Sequence, residues 1–194
     1  MSLKEEDRNH LCKFKKFLNA PNKVGFKKVC LHNKNTGETK EYPTATFSIN
    51  RKKIHEDLIT KGCIPQKTFN LKFPSEEILP KSLIRHFVRG FVDGDGWVGI
   101  GIQPRGARFS RLNITCASAD FLVELVSAMG WEQRVLHQKQ NSKAFQMDWS
   151  SYKTFEMLEN LYEDATVYLD RKYQKYLELK EIMKLRNAVL NQTE

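Results

Sequence analysis

Apolar residues recur at helical and strand spacings along this chain, and the order of the elements that they predict repeats. The first part of the chain predicts a helix over 4–19, strands over 23–32 and 40–49, and a helix from Asn50, as its N-cap, to Thr60. A proline-bearing connector follows over 63–80. The last part predicts a helix from Ser118 to Met129, strands over 132–138 and 144–149, and helices over 151–162 and 169–187.

The two series correspond when the chain is shifted on itself. A shift of about 111 residues places Leu11 over Leu122 and Leu18 over Met129, so helix–strand–strand–helix occurs twice. The second series is preceded by an apolar helix from about Leu83 and by a hairpin with strands over 97–103 and 107–115. We therefore predict an incomplete repeat plus connector over 1–79 and a complete repeat over 80–194. Met1–Leu3 is open to interpretation as an added leader.

The charge balance predicts a polyanionic partner. The 194 residues include 32 Lys+Arg and 23 Asp+Glu, which gives a net charge of +9. The chain has no apolar run of bilayer-spanning length, and its first residues are polar and acidic, unlike a signal peptide. Four scattered cysteines among apolar neighbours are expected to be reduced core thiols. These features favour a cytosolic protein that is not secreted.

The candidate functional residues of the helix that begins near Leu83 lie at its C-terminal end, in Asp93-Gly94-Asp95-Gly96. Gly90 and Gly94 are four residues apart, so they share a helix face and would let another helix pack closely. The helix dipole disfavours a carboxylate at this end, so we expect a positive group to offset Asp95, and a divalent cation is one candidate.

Three other interpretations account less completely for this segment. An EF-hand loop would need acidic ligands where this chain has Trp97 and Pro104. A dinucleotide-binding glycine pattern should follow a strand and open a helix, whereas here the order is reversed. A plain helix C-cap explains the glycines but not both aspartates.

These residues resemble the LAGLIDADG homing endonuclease family. Val88-Arg-Gly-Phe-Val-Asp-Gly-Asp-Gly96 lies over its nine-letter signature, and the segment from Gly62 to Phe87 resembles the linker of its single-chain, two-motif members. The resemblance runs from Lys4 to about Asn187 and implies an α+β fold. Each family half is αββαββα, the two signature helices pack together, and two antiparallel sheets form a saddle over the DNA major groove. The first motif is missing here, and Arg89 replaces a small residue.

The family's residue roles imply a metal-dependent nuclease site. Asp95 matches the acid that binds the catalytic divalent metal, expected to be Mg²⁺, and the Gly94 carbonyl is a further candidate ligand. Lys172 matches the basic residue that acts near the scissile phosphate, and Lys67 is its counterpart in the first half. Asp93 is expected to be structural, at the helix interface with Gly90 and Gly94.

Arginine and glutamine on the predicted strands fit readout of base edges in the major groove, whereas lysine mostly meets phosphate. Alternation along the strands places such residues on one sheet face. The candidate DNA-binding residues are Gln103, Arg105, Arg108, Arg111, Gln133, Arg134, Gln138, Lys139, Lys143, Gln146, Lys27 and Lys28.

The family cuts two DNA strands with two acids, and this chain supplies only Asp95 of the pair. Three explanations stay open: a fragment of a two-motif enzyme, a degenerate element that binds DNA or intron RNA without cutting, as a splicing maturase would, or a homodimer through the signature helix. The leading expectation from the resemblance is a site-specific DNA endonuclease of a mobile intron or intein, in a bacterial or phage cytoplasm or in an organelle.

Overall fold

The computed structural model describes residues 1–33, 36–64, 71–104, 106–140 and 142–190. It divides into two units, of which the first comprises 1–52 and 169–171 and the second comprises 53–168 and the chain from 172. The elements are β1 (Ser2–Lys4), α1 (Arg8–Phe17), β2 (Gly25–His32), β3 (Thr39–Thr46), α2 (Lys52–Thr60), α3 (Lys81–Asp95), β4 (Gly96–Ile102), β5 (Arg108–Cys116), α4 (Ala119–Ala128), β6 (His137–Gln138), β7 (Phe145–Ser150), α5 (Tyr152–Tyr162) and α6 (Asp170–Leu190).

The first unit is a three-stranded antiparallel sheet with one helix packed on it. The strand order is β1-β3-β2, and Leu3 and Phe26 both lie opposite Ala45. Ala45 is fully buried with Leu11 of α1 and Phe47, because these apolar side chains share the helix-covered face of the sheet.

The second unit is a four-stranded antiparallel sheet covered on one face by helices. Its strand order is β4-β5-β7-β6. Alternate strand positions and the apolar stripes of α3, α4, α5 and α6 form one core. The buried strand residues of this core are Val98, Leu112, Ile114, Met147 and Trp149.

The two units share a partial topology, as the sequence repeat predicts. The shift of about 111 residues maps α1 onto α4 and β1 onto the end of β5, since β1 pairs with β3 as β5 pairs with β7. The first residues therefore take part in the fold, since Ser2 and Leu3 pair with β3 and the Met1 ammonium donates to the Phe47 carbonyl. The sequence does not predict β1, because a three-residue strand with one inward-facing residue, Leu3, is too short to show a period of two.

Most predicted helices and strands are confirmed within a few residues. Ser118 accepts a hydrogen bond from the Phe121 amide and so caps α4 as predicted. Helix α2 begins at Lys52 rather than directly after Asn50.

The strand predicted over 132–138 is reduced to His137–Gln138. The Glu132 carbonyl accepts from the Trp149 indole, and the Gln133 side chain donates to the Val123 carbonyl of α4. These contacts tie the segment to the Trp149 side chain of β7 and to α4, which explains why its alternating polarity does not produce a ladder.

The cysteine prediction is wrong on burial. Cys12, Cys30 and Cys63 are exposed, Cys116 is half-buried, and all four are free thiols. Among the described residues, no helix is long and apolar enough to cross a membrane.

Candidate nucleic-acid interface

Helix α3 presents two unlike faces, and its polar end meets the sheet. Val88, Arg89, Val92 and Asp93 are buried, and they recur at the three- and four-residue spacing of one helix face. Gly90 and Gly94 lie on the exposed side. A Cβ added to either would meet no described atom within 4 Å, so the face predicted to admit another helix is open.

Arg89, the residue that departs from the nine-letter signature, anchors α3 to the segment after α5. Its Nε donates to the Val167 carbonyl at 2.8 Å and its Nη1 to the Leu161 carbonyl at 3.1 Å. Burial lowers the pKa of Arg89, and the nearby Asp93 carboxylate opposes that shift. A guanidinium has several donors and can satisfy carbonyls at the end of α5, which a small residue could not do.

Asp93 points into the core of the second unit. Its Oδ1 accepts from the Tyr162 hydroxyl at 2.5 Å, and the residue is 7% exposed. Asp93 therefore lies away from solvent on the buried face of α3, and not on the exposed face of Gly90 and Gly94 with which the sequence analysis grouped it.

Lys172 lies beneath the end of α3. It is 2% exposed, and its Nζ donates to the carbonyls of Val92, Asp93 (2.9 Å) and Gly96 (2.5 Å). Lys172 thus places a positive charge at the negative end of α3, bonded to main-chain carbonyls. The Gly94 carbonyl is not among these three acceptors.

Asp95 leaves the helix on the exposed side and opens onto the sheet. Its side chain borders an open depression on the sheet face that the helices leave uncovered. The other residues that line it are Trp97, Arg111, Asn113, Thr115, Lys139, Gln146 and Asp148.

Strand register explains why these side chains meet. Trp97 lies opposite Asn113, which lies opposite Asp148, while Thr115 lies opposite Gln146. Arg111 is two residues from Asn113 and shares its face, because side chains alternate along a strand. Within this face Asn113 donates to Asp148 at 3.0 Å.

The structure brings together some of the predicted DNA-binding residues. Arg111, Lys139 and Gln146 border the Asp95 depression. Gln103 and Lys143 are exposed at hairpin ends. In the first unit Lys27 lies opposite Thr44 on the face away from α1, whereas Lys28 takes the other face and pairs with Glu41 at 2.9 Å.

The structure places other predicted residues away from the depression. Arg108 is three residues from Arg111, so it lies on the opposite face, beside an apolar groove with Leu179 and Met183. Gln138 donates to the Ser142 carbonyl and Arg134 pairs with Glu132. Gln133 donates to Val123 of α4. Lys67 and Arg105 lie outside the described residues.

Four residues of the depression were not predicted as site residues: Trp97, Asn113, Thr115 and Asp148. Alternation with buried Val98, Leu112 and Met147 is the signal that could have identified them. The Trp97 ring lies over Gly99, since a Cβ there would come within 2.1 Å of the ring. Only glycine leaves room for this tryptophan along the sheet face.

The donor set fits a divalent cation that is completed by substrate. No group of three or more histidine, cysteine or acidic side chains able to hold a metal occurs among the described residues. Mg²⁺ is commonly bound by one or two carboxylates together with phosphate oxygens and water. Asp95 supplies an exposed carboxylate of this kind, whereas the Asp148 carboxylate accepts from Asn113 and Gln146.

Comparison with known proteins gives a likeness of fold. No family model and no curated protein matches the sequence. The I-SmaMI LAGLIDADG homing endonuclease bound to cleaved DNA matches with a TM-score of 0.53 at 14% identity, over 96% of this chain and 79% of that chain. The chain has the LAGLIDADG homing endonuclease fold.

Two further LAGLIDADG structures support this assignment. The meganuclease I-AabMI bound to uncleaved DNA matches with a TM-score of 0.51 at 16% identity, over 96% of this chain and 81% of that chain. I-SmaMI bound to an uncleaved target with calcium ions matches with a TM-score of 0.51 at 15% identity, over 96% and 80% of the two chains. Helix α3 carries the segment on which the sequence resemblance rests.

Proposed function

We propose that this protein is a site-specific, metal-dependent endonuclease of double-stranded DNA, of the homing type. The observation that carries the proposal is the position of Asp95, an exposed carboxylate at the end of α3 that opens onto a basic, polar sheet face. The solved structures of similar fold include enzymes bound to cleaved and to uncleaved DNA.

Duplex DNA suits this face chemically. Arg111, Gln146 and Asn113 can form paired hydrogen bonds with base edges in the major groove, and Lys139 adds a charge for phosphate. Asp148 can accept from the amino group of cytosine. The net charge of +9 supports the same partner, because phosphate neutralisation supplies much of the affinity of such complexes.

Asp95 is the candidate metal ligand, with the Gly94 carbonyl as a second. A bound Mg²⁺ would stabilise the charge that develops on the scissile phosphate and lower the pKa of a nucleophilic water. The chain's own contribution is to place Asp95 at the edge of the face that binds DNA and to supply positive charge from Arg111 and Lys139.

The proposal is tested by cleavage of a selected target. Duplexes bound by the protein would be enriched from a random library, and the best would be incubated with protein and Mg²⁺. We expect cleavage that requires Mg²⁺ and falls at least about a hundredfold in Asp95→Asn, because the metal ligand is lost. DNA affinity should change little. A wild-type protein that binds its target and never cuts it contradicts the endonuclease proposal.

A second candidate is a non-cleaving DNA- or intron-RNA-binding protein on the same fold, acting for example as a splicing maturase. It is favoured because double-strand cleavage needs a second acid, and the open α3 face at Gly90 and Gly94 has no described helix within reach. In that case Asp95→Asn leaves nucleic-acid affinity and selectivity unchanged, and Mg²⁺ produces no cut. An intron-RNA partner would bind more tightly than any enriched duplex.

A further inference from the structure

The side chain of Lys172 donates to the backbone at the end of α3. An ammonium group carries three N–H donors. The carbonyls of Val92, Asp93 and Gly96 give it three main-chain acceptors within hydrogen-bond reach. Lys172 is 2% exposed, so water does not compete for these donors.

This burial is understandable because the helix end is strongly negative. The last carbonyls of α3 lack intrahelical partners and carry the negative pole of the helix. The sequence adds the carboxylates of Asp93 and Asp95 at the same end. A buried ammonium is tolerated where such acceptors surround it, and removing either side of the arrangement leaves unsatisfied polar groups.

We propose that Lys172 is a positioning residue that fixes the α3–β4 junction, and with it Asp95 and Trp97, and that it does not contact DNA. This role deepens the proposed function, on which it rests, and replaces the direct action near the phosphate that the sequence resemblance implies for Lys172. Two of its acceptors, Asp93 and Gly96, flank Gly94 and Asp95 in sequence, so the bonds determine where the Asp95 carboxylate leaves the helix.

The charge that meets phosphate is assigned instead to exposed residues of the same depression. Lys139 and Arg111 border it with Asp95 and are solvent-exposed. For Lys172 to reach a phosphate, its Nζ would have to leave three carbonyls, and those carbonyls would then lack a donor. Lys139 can move to phosphate without such a cost, because its side chain starts in water.

The first test observes the wild-type protein and needs a variant only to assign its signal. With ¹⁵N-labelled lysine, a buried ammonium that exchanges slowly gives a side-chain NMR signal, whereas exposed ammonium groups exchange too fast to be seen. We expect one such signal, assigned to Lys172 by its loss in Lys172→Arg, and no change in it when an enriched duplex binds. A missing signal, or a signal that moves or couples to ³¹P on binding, overturns the proposal.

The second test compares Lys172→Met and Lys172→Arg with Lys184→Met, a matched change at an exposed lysine of α6. The Gly96 amide, bonded to the Val92 carbonyl, should exchange at least about tenfold faster in Lys172→Met, more slowly in Lys172→Arg than in Lys172→Met, and at the wild-type rate in Lys184→Met. If Lys172→Met does not fold, faster exchange in Lys172→Arg than in wild type carries the test. Unchanged exchange in the folded variants contradicts the proposal.

Cleavage kinetics separate positioning from direct chemistry. A positioning lysine predicts that Lys172→Met lowers the cleavage rate by the same factor at every pH, with DNA affinity within about threefold of wild type. A loss that varies with pH would identify Lys172 as a proton donor or acceptor and overturn the proposal. If no duplex is bound or cut, the proposed function fails, and the exchange measurements alone then decide whether Lys172 fixes the junction.

Discussion

At the scale of single residues, the end of α3 is defined by buried polar groups that each have a partner. Arg89 bonds two carbonyls, Asp93 accepts from Tyr162, and Lys172 donates to three carbonyls. Buried charges are costly unless they are paired, so these contacts restrict the junction to one arrangement. Hydrogen bonds between buried polar groups therefore stabilise this region together with apolar packing.

Arg89→Met should destabilise the protein substantially. The change leaves the Leu161 and Val167 carbonyls without their donor, and we expect a loss of about 2–4 kcal/mol in the free energy of unfolding. Urea denaturation measures it. Arg134→Met is the matched control, because its exposed pair with Glu132 should contribute less than about 1 kcal/mol. Equal effects at the two positions would contradict this account of Arg89.

Tyr162→Phe tests the bond to Asp93 without removing the ring. The hydroxyl donates to a buried carboxylate, so its loss should cost about 1.5–3 kcal/mol in unfolding free energy. The same change in an Asp93→Asn background should cost less, because the acceptor is no longer charged. Additive effects in this double-mutant cycle would show that the two side chains do not interact.

Asp170 gives the first unit a small pH dependence. A hydrogen bond from Lys13 at 2.6 Å lowers the pKa of Asp170, with a further contribution from Asn9. A lowered folded-state pKa contributes stability above the unfolded pKa of 3.8 that is lost as pH falls through the folded value. The pair is half-exposed, so the effect should be below about 1 kcal/mol. Asp170→Asn should flatten the unfolding free energy below about pH 4, and an unchanged acid limb would refute the assignment.

At the scale of elements, α3 carries two glycines, Gly90 and Gly94, at which an added Cβ would meet no described atom within 4 Å. Gly90 lies in the helix interior with open space at its Cβ position, whereas a Cβ on Gly96 would lie 2.6 Å from the Val92 carbonyl oxygen. Glycine in a helix interior costs about 0.5–1 kcal/mol relative to alanine. The glycines of α3 therefore fit a face that another helix covers.

Alanine substitution distinguishes Gly90 from Gly96. Gly90→Ala should raise the unfolding free energy of the isolated chain by about 0.5–1 kcal/mol, because helix propensity improves and nothing is displaced. Gly96→Ala should lower it by about 2 kcal/mol or more, since backbone must move. Thermal and urea unfolding measure both. Destabilisation by Gly90→Ala would reveal that a helix already packs on this face in solution.

The sequence predicted the element order and the end of α3 because both depend on local spacing. Alternation of side chains along β5 and β7 correctly placed Arg111 and Gln146 on one sheet face. Arg108 was expected on the same face, but it is three residues from Arg111 and therefore faces the helices. The carbonyl partners of Lys172 could not be predicted, since they are distant in sequence and come together only through packing. The short strand β1 has no recognisable period.

At the scale of the whole molecule, two units carry the same strand–helix–strand–strand order, and the second adds α2, α3 and β4 before it and α5 and α6 after it. In the second unit the helix-covered sheet face is apolar, and the other face carries Arg111 and Gln146. In the first unit Lys27 and Thr44 lie on the face away from α1, whereas Lys28 and Glu41 lie on the covered side. The basic and polar side chains of these faces fit a polyanion as partner.

The affinity for DNA should be strongly salt-dependent, because the proposed contacts include phosphate. We expect the logarithm of the binding constant for an enriched duplex to fall linearly with the logarithm of salt concentration. Lys139→Ala should reduce that slope by about one and weaken all duplexes alike. An affinity that is independent of salt would contradict a phosphate-contacting face.

The most direct test of the central claim compares two arginines of one strand by fluorescence anisotropy with an enriched duplex. Arg111 lies on the polar face beside Asp95, and Arg108 lies on the helix-covered face, so the variants Arg111→Ala and Arg108→Ala lose the same charge from opposite sides of β5. The account predicts that Arg111→Ala weakens binding at least about fivefold and relaxes selectivity at one base pair, while Arg108→Ala stays within about twofold of wild type. Equal losses from both variants, or a loss only from Arg108→Ala, would contradict it.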